Sequence, residues 1–324
     1  MIIQVRELRK NYNTYQRGAS FRETLKSVFK RKAITVEAVK GLTFEVAEGD
    51  IVGFLGPNGA GKSTTLKMLT GVLHPSSGEV QILGFTPWKQ RKKYVRSIGA
   101  VFGQKSQLLW DIPPIDAFYM NKEIYGLEEA AFRETLDHLV ELLDVSEIIR
   151  KPTRQLSLGE RMKCEFIMAM LHRPSVVFLD EPTIGLDVIA KEKIRAFIQE
   201  MNSQGVTFIL TTHDLEDVEQ LARRVIVVNH GEIVFDDSIS ALRGFLGAKK
   251  TVRITTESAA LWDNIHGVRV LSRESETETE LELDTDKLPL KEFIRLVNER
   301  HTIMDMAIDA LPIDVIIKEL YQGS

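Results

Sequence analysis

Gly56-Pro57-Asn58-Gly59-Ala60-Gly61-Lys62-Ser63-Thr64 matches the G-x-x-x-x-G-K-[ST] pattern of a phosphate-binding loop. The apolar run 51–55 before the loop is typical of a buried strand, and residues 63–70 after it carry apolar side chains at helical spacing. Strand, glycine-rich loop and helix are the context that supports this pattern. The stretch therefore predicts a nucleotide site rather than a strand-to-helix turn without a ligand.

The residue types in this loop suit the chemistry of a bound nucleotide. Glycines let the backbone turn tightly, so that its N–H groups point at phosphate oxygens, and the following helix adds the positive end of its dipole. Lys62 is placed to reach the β- and γ-phosphates, and the Ser63 hydroxyl is placed to ligate Mg²⁺. The loop thus predicts a triphosphate ligand together with Mg²⁺.

The composition is that of an ordinary globular chain. Its 324 residues are 44% hydrophobic and 27% charged, which suits one large domain or two smaller ones. The net charge of −4 gives no reason to expect a nucleic-acid partner. The one cysteine, Cys164, excludes an intramolecular disulfide and is expected to be a packing residue. We expect neither a signal peptide nor a membrane-spanning segment, because no run of 18 apolar residues occurs.

Strands and helices alternate through the middle of the chain, which predicts an α/β fold with a mainly parallel core sheet. From about residue 105 to 172 the pattern is helical, and we expect an α-helical subdomain inserted into that fold. After residue 245 the chain reads as short alternating strands with two helices, the last beginning at Pro312. The sequence therefore predicts two domains, 1–245 and a small α+β domain at 246–324.

Asp180 and Glu181 end an apolar run, 176–179, that is typical of a buried strand. In an open α/β sheet, ligands bind at the carboxyl ends of the strands, where a phosphate loop also points. Asp180 is thus predicted to hold Mg²⁺, and Glu181 to polarise a water for attack on the γ-phosphate. A simple surface turn does not explain two adjacent carboxylates in a chain with a phosphate loop upstream.

These motifs together resemble the ATP-binding cassette (ABC) ATPases, specifically the ATP-binding subunits of ABC transporters. The resemblance covers about residues 2–240 and keeps the family's motifs in order. Walker A matches at Gly56 to Ser63, and Walker B with its catalytic glutamate matches at Val176 to Glu181. The further matches are the Q-loop residue Gln104, the signature Leu156-Ser157-Leu158-Gly159-Glu160, the D-loop Gly185-Leu186-Asp187 and the H-loop Thr212-His213-Asp214. Walker A alone indicates a P-loop NTPase, whereas the added motifs indicate this family.

The resemblance implies a role for each matching residue. ATP and Mg²⁺ would be the ligands, with ATP bound by residues 56–64 and by Tyr12, which resembles the family's adenine-stacking aromatic residue. The metal would be held by Ser63, Gln104 and Asp180, and catalysis would use Glu181, His213 and Gln104. The signature residues that would contact ATP bound to a second copy of the chain are Ser157, Leu158, Gly159 and Glu160, and Asp187 would act in the D-loop.

The signature departs from the usual Leu-Ser-Gly-Gly-Gln at two positions. Leu158 stands in place of a glycine, and Glu160 stands in place of glutamine. Ser157 and Gly159 remain, and they supply a hydroxyl donor and a close backbone approach. We therefore expect a working site, in which the negative charge of Glu160 near a phosphate lowers the affinity for ATP.

By resemblance, the chain forms a homodimer that sandwiches ATP and drives a separate membrane permease. A soluble ABC ATPase of translation or DNA repair is the alternative. Translation-type chains usually carry two cassettes, and repair-type chains separate Walker A from the signature by a long coiled coil. This chain has one phosphate loop and a compact helical segment between the motifs. We expect a transport ATPase that associates peripherally with the cytoplasmic face of the membrane and binds no nucleic acid.

Three further interpretations concern partners. The C-terminal domain and its closing helix resemble bacterial exporter cassettes, whereas importer cassettes more often end in a barrel-like domain. The loop 105–114 contains Trp110 and other apolar residues. These residues either form a docking surface for a permease helix or pack back into the helical subdomain. Residues 17–32 predict a short basic amphipathic helix, which either packs on the cassette or contacts a membrane surface.

Overall fold

The computed structural model divides into two compact units, Met1–Asp236 and Asp237–Ser324. It describes residues 1–15, 33–103, 106–212, 215–244, 249–259, 262, 265–310 and 320. The predicted helices at 17–32 and from Pro312 onward lie outside this set, apart from Leu320. The boundary between the units lies at 236/237, whereas the sequence places it at 245/246, and the domain assignment stays a prediction.

The first unit alternates strands and helices along the chain. Its elements, in chain order, are β1 (Ile3–Tyr15), β2 (Ala33–Val46), β3 (Ile51–Leu55), α1 (Lys62–Leu69), β4 (Ser77–Ile82), α2 (Arg91–Tyr94), β5 (Ile98–Phe102), α3 (Pro114–Tyr125), α4 (Glu129–Leu143), α5 (Leu158–Met170), β6 (Val176–Asp180), α6 (Val188–Ser203), β7 (Thr207–Thr211), α7 (Leu215–Leu221), β8 (Arg224–Asn229) and β9 (Glu232–Ser238). The last residues of β9 belong to the second unit.

The central sheet has the strand order β5-β6-β7-β3-β8-β9. Strand β3 pairs in parallel with β7 and β8, and β6 pairs in parallel with β5 and β7. Every residue of β3 and β7 is buried, as expected for parallel strands covered on both faces. The pairing sets Asp180 beside Phe102 and Thr211 at the carboxyl edge. The predicted α/β fold with a parallel core is confirmed.

A second sheet of the first unit is antiparallel, with the order β2-β1-β4. Alternate side chains of β1, such as Ile3 and Val5, are fully buried. They join Val39, Leu42 and residues of the central sheet in one hydrophobic cluster. A period-two pattern does not show which strands pair, so these three strands could not be separated into a sheet of their own from the sequence.

Helices α3, α4 and α5 occupy the segment predicted to be helical. Helix α4 buries Phe132, Leu136, Leu139 and Leu143, which recur at the spacing of one helical face. The Glu128 side chain caps its first turn by accepting a 2.9 Å hydrogen bond from the Ala131 N–H. Among the described residues, no helix is both long and apolar enough to cross a membrane.

The second unit is built on an antiparallel sheet. Its complete elements are α8 (Ile239–Gly244), β10 (Lys249–Thr256), β11 (Val268–Arg273), β12 (Glu278–Asp284), α9 (Leu290–Arg300) and β13 (Ile303–Ala310). The strand order is β11-β12-β10-β13. Alternate residues of β10 and β12 are buried with Phe293 and Val297 of α9 in one cluster. These four strands and α9 agree with the short strands and the helix that the sequence predicts after residue 245.

Candidate nucleotide-binding and catalytic site

The phosphate loop joins β3 to α1 and needs its glycines for steric reasons. Gly61 precedes α1 with a φ of +106°, and a Cβ atom there would lie 2.6 Å from the Ala38 carbonyl oxygen. A Cβ atom on Gly56 would lie 2.3 Å from the Val228 carbonyl oxygen. Larger residues cannot occupy either position without moving the backbone. Within the loop, the Ala60 N–H donates to the Pro57 carbonyl at 3.1 Å.

The Lys62 ammonium lies over this loop although the residue is only 5% exposed. It donates hydrogen bonds to the carbonyl oxygens of Gly56 at 2.6 Å and Pro57 at 3.1 Å. Burial lowers the pKa of Lys62, and the nearby carboxylates of Glu181 and Asp180 oppose that shift. The ammonium is therefore held where it has little hydration, and a bound phosphate would stabilise its charge.

Two of the predicted metal ligands are in direct contact. The Ser63 hydroxyl donates a 2.8 Å hydrogen bond to Asp180 Oδ1, and the Thr211 hydroxyl donates to the same oxygen at 2.6 Å. Ser63 and Asp180 were predicted from the sequence, whereas Thr211 was not. The sequence signal for Thr211 was its position at the carboxyl end of the apolar strand before the H-loop. The three side chains come from α1, β6 and β7 and meet at the carboxyl edge of the sheet.

This oxygen pair suits Mg²⁺. A carboxylate and a hydroxyl are hard ligands, and Mg²⁺ commonly binds through one or two carboxylates, substrate phosphates and water rather than through an all-protein cage. Within the described ranges, no group of three His, Cys, Asp or Glu side chains could hold a metal ion. The residues thus fit a cation whose coordination a bound nucleotide would complete, and Asp180 and Ser63 are the side chains that would hold it.

Glu181 is set at the same edge by an unusual backbone conformation. Its φ is +53°, which is uncommon for a residue with a side chain and costs about 1 kcal/mol or more. Its N–H donates a 2.9 Å hydrogen bond to the Thr211 carbonyl, which holds the turn after β6 against β7. The left-handed conformation ends the strand abruptly, so that Glu181 follows Asp180 without continuing the ladder.

A buried charge network adjoins this turn and was not predicted. Asp217 in α7 is 0% exposed, and it accepts hydrogen bonds from the Thr183 hydroxyl and, at 2.7 Å, from Arg195 Nε in α6. Thr183 lies two residues after Glu181, so the network ties the Walker B turn to α7. The sequence signal for this network was a carboxylate, Asp217, early in the helix after the H-loop. Its partners could not be identified from the sequence because they are distant in the chain.

The signature serine and glutamate form a capping box at the start of α5. The Glu160 carboxylate accepts a 2.8 Å hydrogen bond from the Ser157 N–H, and the Ser157 hydroxyl accepts one of 3.2 Å from the Glu160 N–H. Each side chain thus satisfies a backbone donor of the first helical turn. The glutamate that replaces the family's glutamine therefore has a structural partner in its own chain.

The other signature residues pack against the start of α6. A Cβ atom on Gly159 would lie 3.0 Å from the Ala190 Cβ, and one on Gly185 would lie 3.1 Å from the Leu158 side chain. Asp187 caps α6 by accepting a 2.8 Å hydrogen bond from the Ala190 N–H. The surface around these residues is apolar, because Leu158, Val188 and Ile189 are 37%, 70% and 79% exposed.

The remaining predicted residues divide into three groups. Gln104 and His213 lie outside the described residues, so their predicted roles stay predictions. Tyr12 lies on β1 and is 38% exposed, with the Lys10 ammonium 5.3 Å from its ring centroid. The loop residues Pro57, Asn58 and Gly59 are exposed, and Thr64 is half-buried in the first turn of α1.

This fold and site define a P-loop NTPase with an inserted helical subdomain. Residues 39–184 match the family model described as ABC transporter. The chain belongs to the family of ABC transporter ATP-binding proteins, and it binds and hydrolyses ATP.

Named relatives support this assignment. The protein named "ABC transporter ATP-binding protein NatA" of Bacillus subtilis is 29% identical over 66% of this chain and 87% of its own length. The daunorubicin resistance ATP-binding protein DrrA3 of Streptomyces coeruleorubidus is 30% identical over 69% and 71%. The cobalt import ATP-binding protein CbiO of Rhodobacter capsulatus is 32% identical over 64% and 75%.

A solved structure described as the ATP-binding subunit of an ABC transporter shares the fold. It matches with a TM-score of 0.64 and 23% identity, over 76% of this chain and 94% of that one. The predicted fold is thereby confirmed, and the predicted family is confirmed by the relatives above.

Proposed function

We propose that this chain works as an Mg²⁺-dependent ATP-sandwich homodimer that drives a separate membrane permease in export, from the cytoplasmic face of the membrane. The observation that carries the catalytic part is the convergence of Ser63, Thr211 and Asp180 beside the buried Lys62. A bound Mg²⁺ would neutralise phosphate charge, and Asp180 and Ser63 are the side chains that would hold it. Lys62 stabilises the β- and γ-phosphates, and Glu181 accepts a proton from the attacking water.

The dimer is supported by the surface of the signature. Ser157 is exposed, and the apolar side chains of Leu158, Val188 and Ile189 surround the starts of α5 and α6. Exposed apolar patches commonly mark interaction sites. A second copy of the chain would bury this patch and bring its own phosphate loop to Ser157.

A permease is supported by a second exposed apolar region, on α3 and the loop before it. Leu109 and Trp110 are 51% and 57% exposed, so Trp110 does not fold back into the subdomain. Met120 and Ile124 of α3 are exposed as well. The Trp110 backbone is fixed, because its carbonyl accepts a 3.0 Å hydrogen bond from the Arg154 N–H. This rigid apolar surface suits a cytosolic helix of a membrane partner.

Export is supported by the second unit and by a relative. That unit contains an open four-stranded sheet, β11-β12-β10-β13, rather than the barrel-like domain with which importer cassettes more often end. One relative is named for daunorubicin resistance, whereas another is named for cobalt import. Import is therefore the competing direction.

The experiment that tests this function is reconstitution with a multispanning membrane protein, sought first among the proteins whose genes adjoin the gene for this chain. We expect a complex in proteoliposomes whose ATPase exceeds that of the isolated subunit, and Trp110→Ala to abolish that increase while basal ATPase is retained. Lys122→Ala, on the adjoining helix α3, is the matched control. Absence of the chain from the membrane fraction, with full ATPase in solution, would favour the soluble ABC ATPase. Cargo movement toward the ATP-containing side would show import.

A further inference from the structure

The buried carboxylate of Glu165 takes no part in the mechanism above. Glu165 lies in the middle of α5, the helix that begins at the signature, and it is 3% exposed. A buried carboxylate lowers stability unless it is hydrogen-bonded, so its position in an otherwise apolar helix face needs a structural reason. Burial raises the pKa of Glu165, and hydrogen bonds from Ser106, Leu108 and Gln107 oppose that shift.

Among the described residues, the hydrogen bonds of this carboxylate go to one short segment. Glu165 Oε1 accepts from the Ser106 hydroxyl, from the Gln107 N–H at 2.8 Å and from the Leu108 N–H at 3.3 Å. Residues 106–108 belong to neither a helix nor a strand, so no ladder satisfies these donors. In the part of the chain that the structure describes, Glu165 Oε2 has no hydrogen-bond partner. One oxygen therefore fixes the segment to α5.

The same segment is also joined to the central sheet. The Gln107 side chain donates a 2.6 Å hydrogen bond from Nε2 to the Ala100 carbonyl of the edge strand β5. At the end of β5, the Gly103 N–H donates a 2.9 Å hydrogen bond to the Asp180 carbonyl. The side chain of Gln107 thus contacts β5, the strand beside Asp180, and its backbone N–H contacts Glu165. Gln107 therefore connects the two.

The distance from Glu165 to the signature is bridged by rigid structure. Helix α5 runs without a break from Leu158 to Met170, and its start is fixed by the capping box of Ser157. It also approaches β5 closely, since a Cβ atom on Gly99 would lie 2.7 Å from the Ala169 carbonyl oxygen. A shift of residues 106–108 would therefore be transmitted to Ser157 along a helix rather than absorbed in a loop.

We propose that Glu165 is a positioning residue that couples the segment after β5 to the signature, so that nucleotide bound beside Asp180 in one chain sets the position of its own Ser157. This proposal rests on the proposed function in one respect: Ser157 acts on ATP held by the second copy. The role of Glu165 is to hold residues 106–108 on α5. The contacts that carry it are formed within one chain and do not require the partner.

The test compares the wild-type chain with Glu165→Leu, which has no acceptor, and Glu165→Gln, whose amide oxygen still accepts from N–H donors. We expect Glu165→Leu to lower kcat about tenfold or more, because misplacement of a contacting group is costly. Its Kd for a fluorescent ATP analogue should stay within about twofold of wild type, because the ATP-binding loop is untouched. Glu165→Gln should recover kcat to within about threefold, since most of the hydrogen bonding is kept.

Hydrogen exchange supplies a readout that does not depend on the dimer. In the wild type, we expect slow exchange of the Gln107 and Leu108 amides, and a change in exchange at residues 157–160 when ATP and Mg²⁺ bind to monomer held at low concentration. In Glu165→Leu, the amides of Gln107 and Leu108 should exchange about tenfold or more faster, and the response at 157–160 should be lost. Cys164→Ala, at a neighbouring buried position on α5, is the matched control and should leave both responses unchanged.

Three results would overturn the proposal. The first is an unchanged kcat in Glu165→Leu, and the second is a loss of ATP affinity in proportion to the loss of kcat, which indicates a general structural defect. The third is fast exchange of the Gln107 and Leu108 amides in the wild type. This result would contradict the proposal even if Glu165→Leu does not fold. Failure of the proposed function would give a different result. ATP-dependent dimers would be absent, whereas the hydrogen-exchange responses at 107–108 and 157–160 would be as expected.

Discussion

The Ser63 hydroxyl and the Asp180 carboxylate, 117 residues apart in the chain, are joined by a hydrogen bond of 2.8 Å. Thr211 reaches the same carboxylate oxygen from the adjacent strand at 2.6 Å. The phosphate loop and the strands of a parallel sheet converge at one edge, so residues from three distant segments act on one position. The orientation of Asp180 is therefore fixed before any metal binds.

Asp180→Asn tests this arrangement as a metal site. The amide oxygen is a weaker Mg²⁺ ligand than a carboxylate, so we expect the Mg²⁺ concentration for half-maximal ATPase to rise about tenfold or more. Binding of ATP in EDTA should change little, because Lys62 and the loop amides remain. Thr211→Val is the companion variant, which keeps the ligand but removes its orienting hydrogen bond, and it should give a smaller shift. An unchanged Mg²⁺ dependence in Asp180→Asn would remove this residue from the metal site.

Glu181→Gln tests the general base. Glutamine keeps the size of the side chain but cannot accept the proton of the attacking water, so we expect steady-state ATPase to fall by about 10² to 10⁴. ATP and Mg²⁺ binding should be retained, and ATP should convert the variant into a stable dimer that is visible by size-exclusion chromatography. Glu192→Gln on the exposed side of α6 serves as the control. ATPase equal to that of the wild type would show that another group acts as the base.

The buried position of Lys62 predicts a dependence of ATP affinity on pH. Burial lowers the pKa of the free lysine, and the negative phosphates of bound ATP raise it again, so binding takes up a proton when the free form is neutral. The affinity for ATP is therefore greatest at pH values below the pKa of Lys62 in the free protein, and it falls as the pH rises above that pKa. Calorimetric titration in buffers of different ionisation enthalpy measures the proton uptake directly. Lys62→Arg, which stays charged, should show no such uptake, and equal uptake in both chains would contradict the prediction.

The main parts of the fold and site follow from local sequence. Gly56, Gly61 and Lys62 stand at fixed spacing in one loop, and the apolar strand before Asp180 places this carboxylate at the sheet edge. These features depend on residues that are close together in the chain, so a sequence pattern is enough to predict them. The α/β class was predictable for the same reason, since strands and helices alternate along the sequence.

Other contacts could not be predicted because they depend on which strands and helices pack together. Thr211 reaches Asp180 only because β7 is the neighbour of β6, and Glu165 reaches Gln107 only because α5 lies beside β5. The antiparallel β2-β1-β4 sheet is a similar case, because the sequence pattern of a strand does not show which other strand pairs with it. Gln104 and His213 were predicted by resemblance, and the described part of the chain does not include them.

Two opposing effects are expected of Glu160. Its carboxylate caps the signature by accepting from the Ser157 N–H at 2.8 Å. In the proposed dimer, its charge would oppose the phosphate that a second copy brings near Ser157. Glu160→Gln keeps an acceptor for the cap and removes the charge, so in the Glu181→Gln background it should lower the ATP concentration for half-maximal dimer formation. Glu160→Ala removes the cap, and we expect it to raise that concentration and to reduce stability by about 1 kcal/mol.

Glu128→Ala separates these effects from a general loss of helix capping. Glu128 accepts a 2.9 Å hydrogen bond from the Ala131 N–H at the start of α4, away from the signature segment in the chain. Its removal should reduce the free energy of unfolding by a similar amount, about 1 kcal/mol, while dimer formation responds to ATP as before. Light scattering across an ATP titration measures dimer formation, and urea unfolding measures stability. If Glu160→Ala and Glu128→Ala shift the ATP titration equally, the capping box of Ser157 has no specific part in the dimer. If Glu160→Gln weakens the dimer as much as Glu160→Ala, the carboxylate itself is required, and the charge of Glu160 supports ATP binding instead of opposing it.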